Sequence, residues 1–172
     1  MLNMKNIFVV VSILLVAAIS LMLVSLHRTS FQDLIICSTN DEASYIPVKL
    51  CQSYLYNFRG NAEDIHELEQ TTGVTIAFDV EDQTQRRALF EFLLSKGMDI
   101  NKQNLLTGLY PIHELILRND VKAIKLLLQH GADINLEDSH YQKNALEFTQ
   151  LLIQTKPEIE RKQIVLMLQE RN

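Results

Sequence analysis

The sequence predicts an all-α chain in which a short stack of repeated helix pairs follows a single apolar helix at the N-terminus. Three observations indicate this fold class. Residues 7–26 carry no charge, two leucine-rich segments recur 34 positions apart, and single prolines and glycines stand at the ends of the segments. A helix that is apolar on most of its surface needs neighbours on both sides, so the recurring segments favour stacked units.

The apolar run from Ile7 to Leu26 is 20 residues long, and three serines are its polar side chains. As a helix it is about 30 Å long, which matches the hydrocarbon core of a bilayer. A cleavable signal peptide has a shorter apolar region followed by small residues, whereas the small residues at 18–20 lie inside this run. We therefore predict an uncleaved transmembrane signal anchor, with a signal peptide as the alternative.

Lys5 precedes the apolar run and Arg28 follows it. Because Lys5 and the α-amino group make the N-terminal side more positive, residues 1–6 are predicted to be a cytoplasmic tail and the body to lie across the membrane. Residues 27–45 are mostly polar and are predicted to be a tether. The repeat domain is then expected at residues 46–172.

Two short helices are predicted at the start of this domain. The first begins at Pro47 and ends at Gly60, because proline suits a first helical position and glycine suits the residue after the last. Its apolar face comprises Leu50, Cys51, Tyr54, Leu55 and Phe58. The second lies within Asn61 to Gly73, with Ile65 and Leu68 directed inward.

Residues 75–80 alternate weakly between apolar and polar, which fits either an extended connector or a shortened helix. Asp82 or Thr84 is predicted to cap the helix that follows. The apolar positions of that helix are Ala88, Leu89, Phe90, Phe92, Leu93 and Leu94.

The clearest helix pair begins at Pro111. Asn119 and Asp120 provide turn and cap chemistry before a second helix at residues 121–128, which Gly131 ends as a left-handed cap. A helix is predicted at Ala145 to Thr155 and a last one from Pro157. The charged residues of the last one suit an end unit that meets water, namely Glu158, Glu160, Arg161 and Lys162.

The chain repeats itself at one offset. Gly97 to Asn101 (GMDIN) matches Gly131 to Asn135 (GADIN), and the Leu-Leu pair at 93–94 matches that at 127–128. Residues 108–135 resemble the ankyrin repeat, whose period is about 33 residues.

The opening Tyr110 to Leu115 (YPIHEL) is similar to the TPLHxA opening of ankyrin repeats. The resemblance implies a solenoid of three to four units, in which His113 is structural and bonds backbone between neighbouring units, with Pro111 and Gly131 also structural. Residues 47–73 resemble a degenerate unit more loosely. The residue in excess of the family period falls between Asn101 and Pro111, which predicts a lengthened loop there.

Composition and motifs narrow the function. The net charge is −5, and an acidic body argues against nucleic acid, since phosphate binding needs clustered Lys and Arg. There is no glycine-rich phosphate cradle and no GxSxG, HExxH or CxxC motif. His130 and His140 have no cysteine or carboxylate at ligand spacing, so no metal is expected. We predict no enzyme activity, no cofactor and no small-molecule substrate.

Cys37 and Cys51 are the two cysteines. In an oxidising compartment they would pair, and in a reducing cytosol they would be ordinary thiols, of which Cys51 would be buried on a helix face. The sequence leaves both alternatives open.

Apolar residues also occur in the connectors between predicted units, where loops are usually polar. Either the lengthened loop folds its leucines back over the stack, or these residues form a patch that contacts a partner. The resemblance implies that the tips and the exposed side of each first helix form the binding face. The predicted partner-binding residues are Leu105, Leu106, Leu109, Tyr110, Glu114, Leu117, Arg118, Ser139, His140, Tyr141 and Glu147.

The resemblance implies a protein-binding module. Small membrane-anchored ankyrin proteins look like immunity proteins, which neutralise a secreted antibacterial toxin in the periplasm. We therefore expect a single-pass protein of a bacterial inner membrane whose repeat domain lies in the periplasm and binds a toxin or effector. The alternatives are a scaffold or adaptor that faces the cytoplasm, and an envelope hydrolase that uses His113 with a carboxylate.

Overall fold

The computed structural model describes residues 4–40 and 45–171, and the regular structure within these ranges is entirely helical. The elements are α1 (Met4–Arg28), α2 (Phe31–Thr39), α3 (Val48–Phe58), α4 (Ala62–Glu69), a 3-10 helix (Gly73–Asp79), α5 (Gln83–Ser95), α6 (Pro111–Arg118), α7 (Val121–Gln129), α8 (Ala145–Thr155) and α9 (Lys162–Gln169). The predicted all-α class with one N-terminal apolar helix is confirmed. The chain divides into two compact units, Met1–Gly60 and Asn61–Asn172.

Helix α1 is long and apolar enough over Asn6–Arg28 to cross a membrane, and no part of its most apolar stretch is buried within the protein. Length and composition are the basis of this assignment, and a signal sequence near the N-terminus has the same properties. The helix is therefore a candidate for either a membrane span or a signal.

The first unit contains a helical hairpin where the sequence predicted a tether. Residues 31–39 form α2 because the Ser30 hydroxyl accepts a hydrogen bond from the Asp33 amide at 3.0 Å and the apolar side chains are buried. Part of the predicted tether, residues 41–44, lies outside the described residues. The buried positions of α2 are Phe31, Leu34, Ile35, Cys37 and Ser38.

Helix α3 runs antiparallel to α2 and covers that apolar surface. A disulfide joins Cys37 to Cys51 across the pair, with their Cα atoms 5.9 Å apart. Of the predicted apolar face of α3, Cys51 and Leu55 are completely buried, whereas Leu50 and Phe58 are exposed.

Helices α3 and α4, which the sequence predicted as one degenerate unit, belong to different compact units. Helix α3 belongs to the first unit, where Cys51 and Leu55 are buried, while α4 opens the second unit. The Asn61 side chain begins α4 with a reciprocal capping box that involves Asp64. Ile65 and Leu68 are buried, as predicted.

The rest of the second unit has two layers of short helices. The 3-10 helix, α6 and α8 pack against one another in order and form the first layer, and each packs on its following helix, α5, α7 or α9. Residues 75–80 thus adopt the shortened-helix alternative up to Asp79.

Helices α5 and α7 lie side by side in the second layer. A salt bridge of 2.9 Å joins Arg86 to Asp120, and the Phe90 and His130 rings meet edge-on with centroids 5.0 Å apart. Leu93 and Leu127, the leucines matched by the sequence repeat, are both completely buried.

Side-chain caps set the starts of α5 and α7. Asp82 accepts from the Gln85 amide at the start of α5, and Asp120 accepts from the Ala123 amide at the start of α7. Asp82, rather than Thr84, is therefore the cap of α5.

The C-terminal end differs from the prediction. Helix α9 begins at Lys162 rather than Pro157, because the Glu160 carboxylate accepts the Lys162 amide at 2.8 Å. Arg161, predicted on the charged outer face, is instead buried. Its Nη1 atom lies 3.4 Å from the Ile159 carbonyl oxygen, and its Nε and Nη2 atoms have no hydrogen-bond partner among the described residues.

Removing the disulfide with Cys37→Ser and Cys51→Ser should destabilise the α2–α3 hairpin by about 3 kcal/mol, because the closed loop no longer restricts the unfolded chain. Urea unfolding of the full-length protein in detergent measures the effect. A reductant should destabilise the native protein equally and leave the double variant unchanged. A loss below about 1 kcal/mol would contradict the expectation.

Candidate functional site

Two connector tips, residues 104–109 and 138–143, form the same turn. Asn104 Oδ1 accepts the Leu106 amide at 2.9 Å, and Asp138 Oδ1 accepts the His140 amide, also at 2.9 Å. Asn104 and Asp138 are 34 positions apart, so the sequence offset extends into the tips. Because a short polar side chain that bonds the backbone two residues ahead stabilises a turn, each tip is held by its first residue.

Each turn closes through a residue in the left-handed conformation. Gly108 has φ +67° and Gln142, at the equivalent position, has φ +53°. Their amides donate to the carbonyl oxygens of Asn104 and Asp138 at 2.8 and 3.0 Å. Only Gly108 was recognisable in the sequence, since glutamine seldom adopts a positive φ.

The two tips bond directly to one another. The Gly108 carbonyl oxygen accepts the Ser139 amide at 3.1 Å and the Ser139 hydroxyl at 3.3 Å. A Cβ atom on Gly108 would lie 2.5 Å from Ser139 Oγ, so a larger residue would displace the Ser139 hydroxyl that bonds the two tips. The tips therefore form one continuous surface.

Two of the predicted partner-binding residues support this surface from inside. Leu109 and Glu114 are buried, so neither is available to a partner as the sequence predicted. The Glu114 Oε1 atom accepts hydrogen bonds from Asn104 Nδ2 and Thr107 Oγ1, both at 3.0 Å. A buried carboxylate needs such partners, and here they fix the first tip.

The outer surface of the tips is apolar and aromatic. Leu105 is 63% exposed, Leu106 is 80% exposed and Tyr141 is 48% exposed, and Ser139 and His140 between them are exposed as well. We call these five residues the tip surface. Of the two alternatives that the sequence left open, each holds for part of the loop, because Leu105 and Leu106 are directed outward whereas Leu109 is folded back.

A column of aromatic rings links the tip surface to the core. The Tyr141 ring contacts His140 at a centroid distance of 4.7 Å and Phe148 at 5.4 Å. Phe148 in turn meets the His113 ring edge-on at 5.3 Å, and Tyr110 lies 6.0 Å beyond His113. Tyr141 is thus fixed on a buried residue of α8.

The His113 side chain joins α6 to the second tip. Its ring is completely buried, and Nε2 donates to the Lys143 carbonyl oxygen at 2.9 Å. The Nδ1 atom has no hydrogen-bond partner among the described residues. Burial lowers the pKa of His113, although the Lys143 hydrogen bond and the Asp138 charge act in the opposite direction. Since the buried ring is closed to a substrate, its position fits the structural role rather than that of a hydrolase base.

The other predicted contact residues lie on the first layer. Leu117 is exposed at the end of α6, beside Arg118, which forms a salt bridge with Asp79 of the 3-10 helix. Glu147 is exposed on α8 and completes the capping box of Asn144. Tyr110 is half-buried.

No group of three or more His, Cys, Asp or Glu residues that could hold a metal occurs in the described ranges, 4–40 and 45–171. His130 Nδ1 lies 2.9 Å from the Leu126 carbonyl oxygen, which gives that ring a local partner.

Comparison with known protein families matches residues 107–139 to the ankyrin repeat, a segment that covers the end of the first tip, α6, α7 and the start of the second tip. A comparison with curated proteins found no match. Residues 107–139 are therefore similar to an ankyrin repeat, and such a repeat indicates a protein–protein interaction module.

The folded protein should lose stability as the pH falls below about 6.5, the ordinary pKa of histidine. Because burial lowers the pKa of His113 in the folded state, the unfolded chain binds this proton more readily, so the stability is complete above that pH and is lost toward the folded pKa. Thermal unfolding from about pH 7.5 to about pH 5 measures the loss.

His113→Gln removes the titrating group and retains an amide that can donate to Lys143, so its melting temperature should depend less on pH than that of the native protein. An equal pH dependence in the variant would contradict the assignment.

Proposed function

We propose that the protein binds a partner protein through the tip surface while α1 anchors it in a membrane, and that the partner is a secreted antibacterial toxin which it neutralises in the periplasm. The observation that carries the binding step is the exposure of Leu105, Leu106 and Tyr141 on two tips that are hydrogen-bonded to each other. Exposed apolar and aromatic clusters of this kind concentrate binding energy.

The tips suit tight binding because they are already ordered. Asn104 and Asp138 fix both turns, and a rigid loop loses little conformational entropy when a partner covers it. Complete burial of one leucine side chain contributes about 1.5–3 kcal/mol, so Leu105 and Leu106 together could supply a large part of a stable complex. Leu117 extends the apolar area along α6.

Two features support an extracytoplasmic location. Helix α1 has the length and composition of a membrane span. The greater positive charge on its N-terminal side favours a cytoplasmic N-terminus. The Cys37–Cys51 disulfide belongs to an oxidising compartment, since cytosolic thiols are kept reduced. In a cytoplasm-facing scaffold the two thiols would stay reduced, so this disulfide would not form.

The toxin is the most specific part of the proposal. It is supported by the resemblance to small anchored ankyrin immunity proteins together with the proposed topology. The acidic balance of the chain, −5 overall, would favour a basic partner through electrostatic attraction.

Alkaline phosphatase fused after residue 172 tests the topology, because this reporter folds only where disulfides form. The fusion should be active, and a fusion of a cytoplasmic fluorescent reporter at the same site should be dark. Activity of the cytoplasmic reporter alone would overturn the periplasmic location and favour a cytoplasmic scaffold.

Deletion of the gene, with its neighbouring genes kept, should reduce survival beside sister cells that carry a secretion apparatus. The native gene should restore survival, whereas the Leu105→Asp, Leu106→Asp double variant should not, because two buried carboxylates in the complex would be unpaired. Colony counts after co-culture measure the effect.

Leu166→Asp is the matched control, because Leu166 is 51% exposed on α9 and lies outside the tip surface. This variant should protect as well as the native protein. Unchanged survival of the deletion strain would contradict the toxin proposal, and full protection by the double variant would exclude the tip surface as the binding site.

A further inference from the structure

The C-terminal end of α3 lies beside the end of the apolar helix α1, within the first unit. The Tyr54 hydroxyl is 3.4 Å from His27 Nδ1, and Arg59 Nη1 donates to the Thr29 carbonyl oxygen at 2.9 Å. His27 is in the last turn of α1 and Thr29 follows its last residue. The C-terminal end of the hairpin therefore lies beside the C-terminal end of the apolar helix α1.

The residues around the C-terminal end of α1 are aromatic and basic. The Phe58 side chain is 71% exposed, and its ring lies 5.4 Å from that of Tyr54. The Arg59 guanidinium stands over the Phe31 ring at 5.6 Å, and Arg28 is exposed at the end of α1. Aromatic rings with basic residues characterise the layer between hydrocarbon and water in membrane proteins.

The end of α1 is built into the same unit. Leu26 is only 3% exposed and, with Leu34, Cys37 and Cys51, lines a cavity of about 170 Å³. The lipid-accessible part of α1 therefore ends before Leu26. From Ile7 to Ser25 a helix is about 28 Å long, which still fits the hydrocarbon thickness and places His27 and Arg28 at the interface.

We propose that Tyr54 and Phe58, with Arg28 and Arg59, seat the α2–α3 hairpin in the interfacial layer of the lipid bilayer that α1 crosses. This rests on the membrane anchor in the proposed function. The hairpin then acts as a collar: the Tyr54–His27 and Arg59–Thr29 bonds hold α3 beside the end of α1, and lipid covers the exposed Phe58 ring. The exposed Arg28 would bind lipid phosphates.

The native chain has no tryptophan, so one introduced indole reports its own depth. Phe58→Trp is the test position, and Leu14→Trp, at an exposed site within the apolar run, is the control for the span. The full-length variants are placed in phosphatidylcholine and phosphatidylglycerol vesicles, with and without bromine at a shallow or a deep position of the acyl chains. Bromine quenches indole fluorescence on contact.

The shallow bromine should reduce Phe58→Trp emission about two-fold and more than the deep bromine does, as expected for an interfacial ring. The Leu14→Trp variant should respond more to the deep bromine. If Leu14→Trp is quenched while Phe58→Trp emits like free tryptophan in water, the collar is overturned and the anchor stands. If neither is quenched, the anchor fails and the collar fails with it.

Discussion

The second unit is stabilised by the burial of helices that are apolar on most of their surface, because each such helix needs several neighbours to cover it. Helix α7 buries Ala123, Ile124, Leu127 and Leu128 among nine residues, and no single neighbour could cover all of them. Helices α6 and α9 pack on it, and α5 is joined to it through Arg86 and Asp120. Stacking solves this covering problem one unit at a time, and it places the connectors at one end of the layers.

Buried polar groups convert this stack into a surface with a defined shape. Three buried polar side chains hold the tips. The His113 ring bonds to Lys143 of the second tip, and the Glu114 carboxylate bonds to Asn104 of the first tip. The Asp138 carboxylate bonds to the His140 amide within the second tip. An unpaired polar group in this position would be costly, so these bonds permit few alternative loop conformations. Leu105 and Leu106 can therefore stay exposed without collapsing onto the core, which is the basis of the proposed binding role.

The first unit is stabilised differently from the second unit. Its hairpin has a small core, and a short helix pair of this size gains much of its stability from a covalent link between the helices. The same link keeps the end of α3 close to the end of α1, where Tyr54 and Arg59 bond to it. The first unit thus joins the apolar helix α1 to a disulfide-linked helical hairpin.

The sequence by itself determined the helical class, the apolar N-terminal helix, the 34-residue offset and the structural position of His113, because each depends on local periodicity, capping or a specific motif. It also identified the exposed tip residues Leu105, Leu106 and Tyr141. It did not reveal helix α2, since a nine-residue helix with polar flanks has little local signal until its apolar side is covered. The sequence also did not reveal the start of α9, which depends on the Glu160 carboxylate, or the burial of Arg161.

Only the tertiary structure decided which side chains of the candidate site face outward. Leu109 and Leu106 are equally apolar in sequence, yet one is buried and the other exposed, because the Asn104 turn and the Glu114 carboxylate orient the loop between them. The left-handed Gln142 and the pairing of Cys37 with Cys51 likewise depend on contacts between segments distant in the chain. Local sequence specifies which elements form, whereas the direction of each side chain is set by what packs against it.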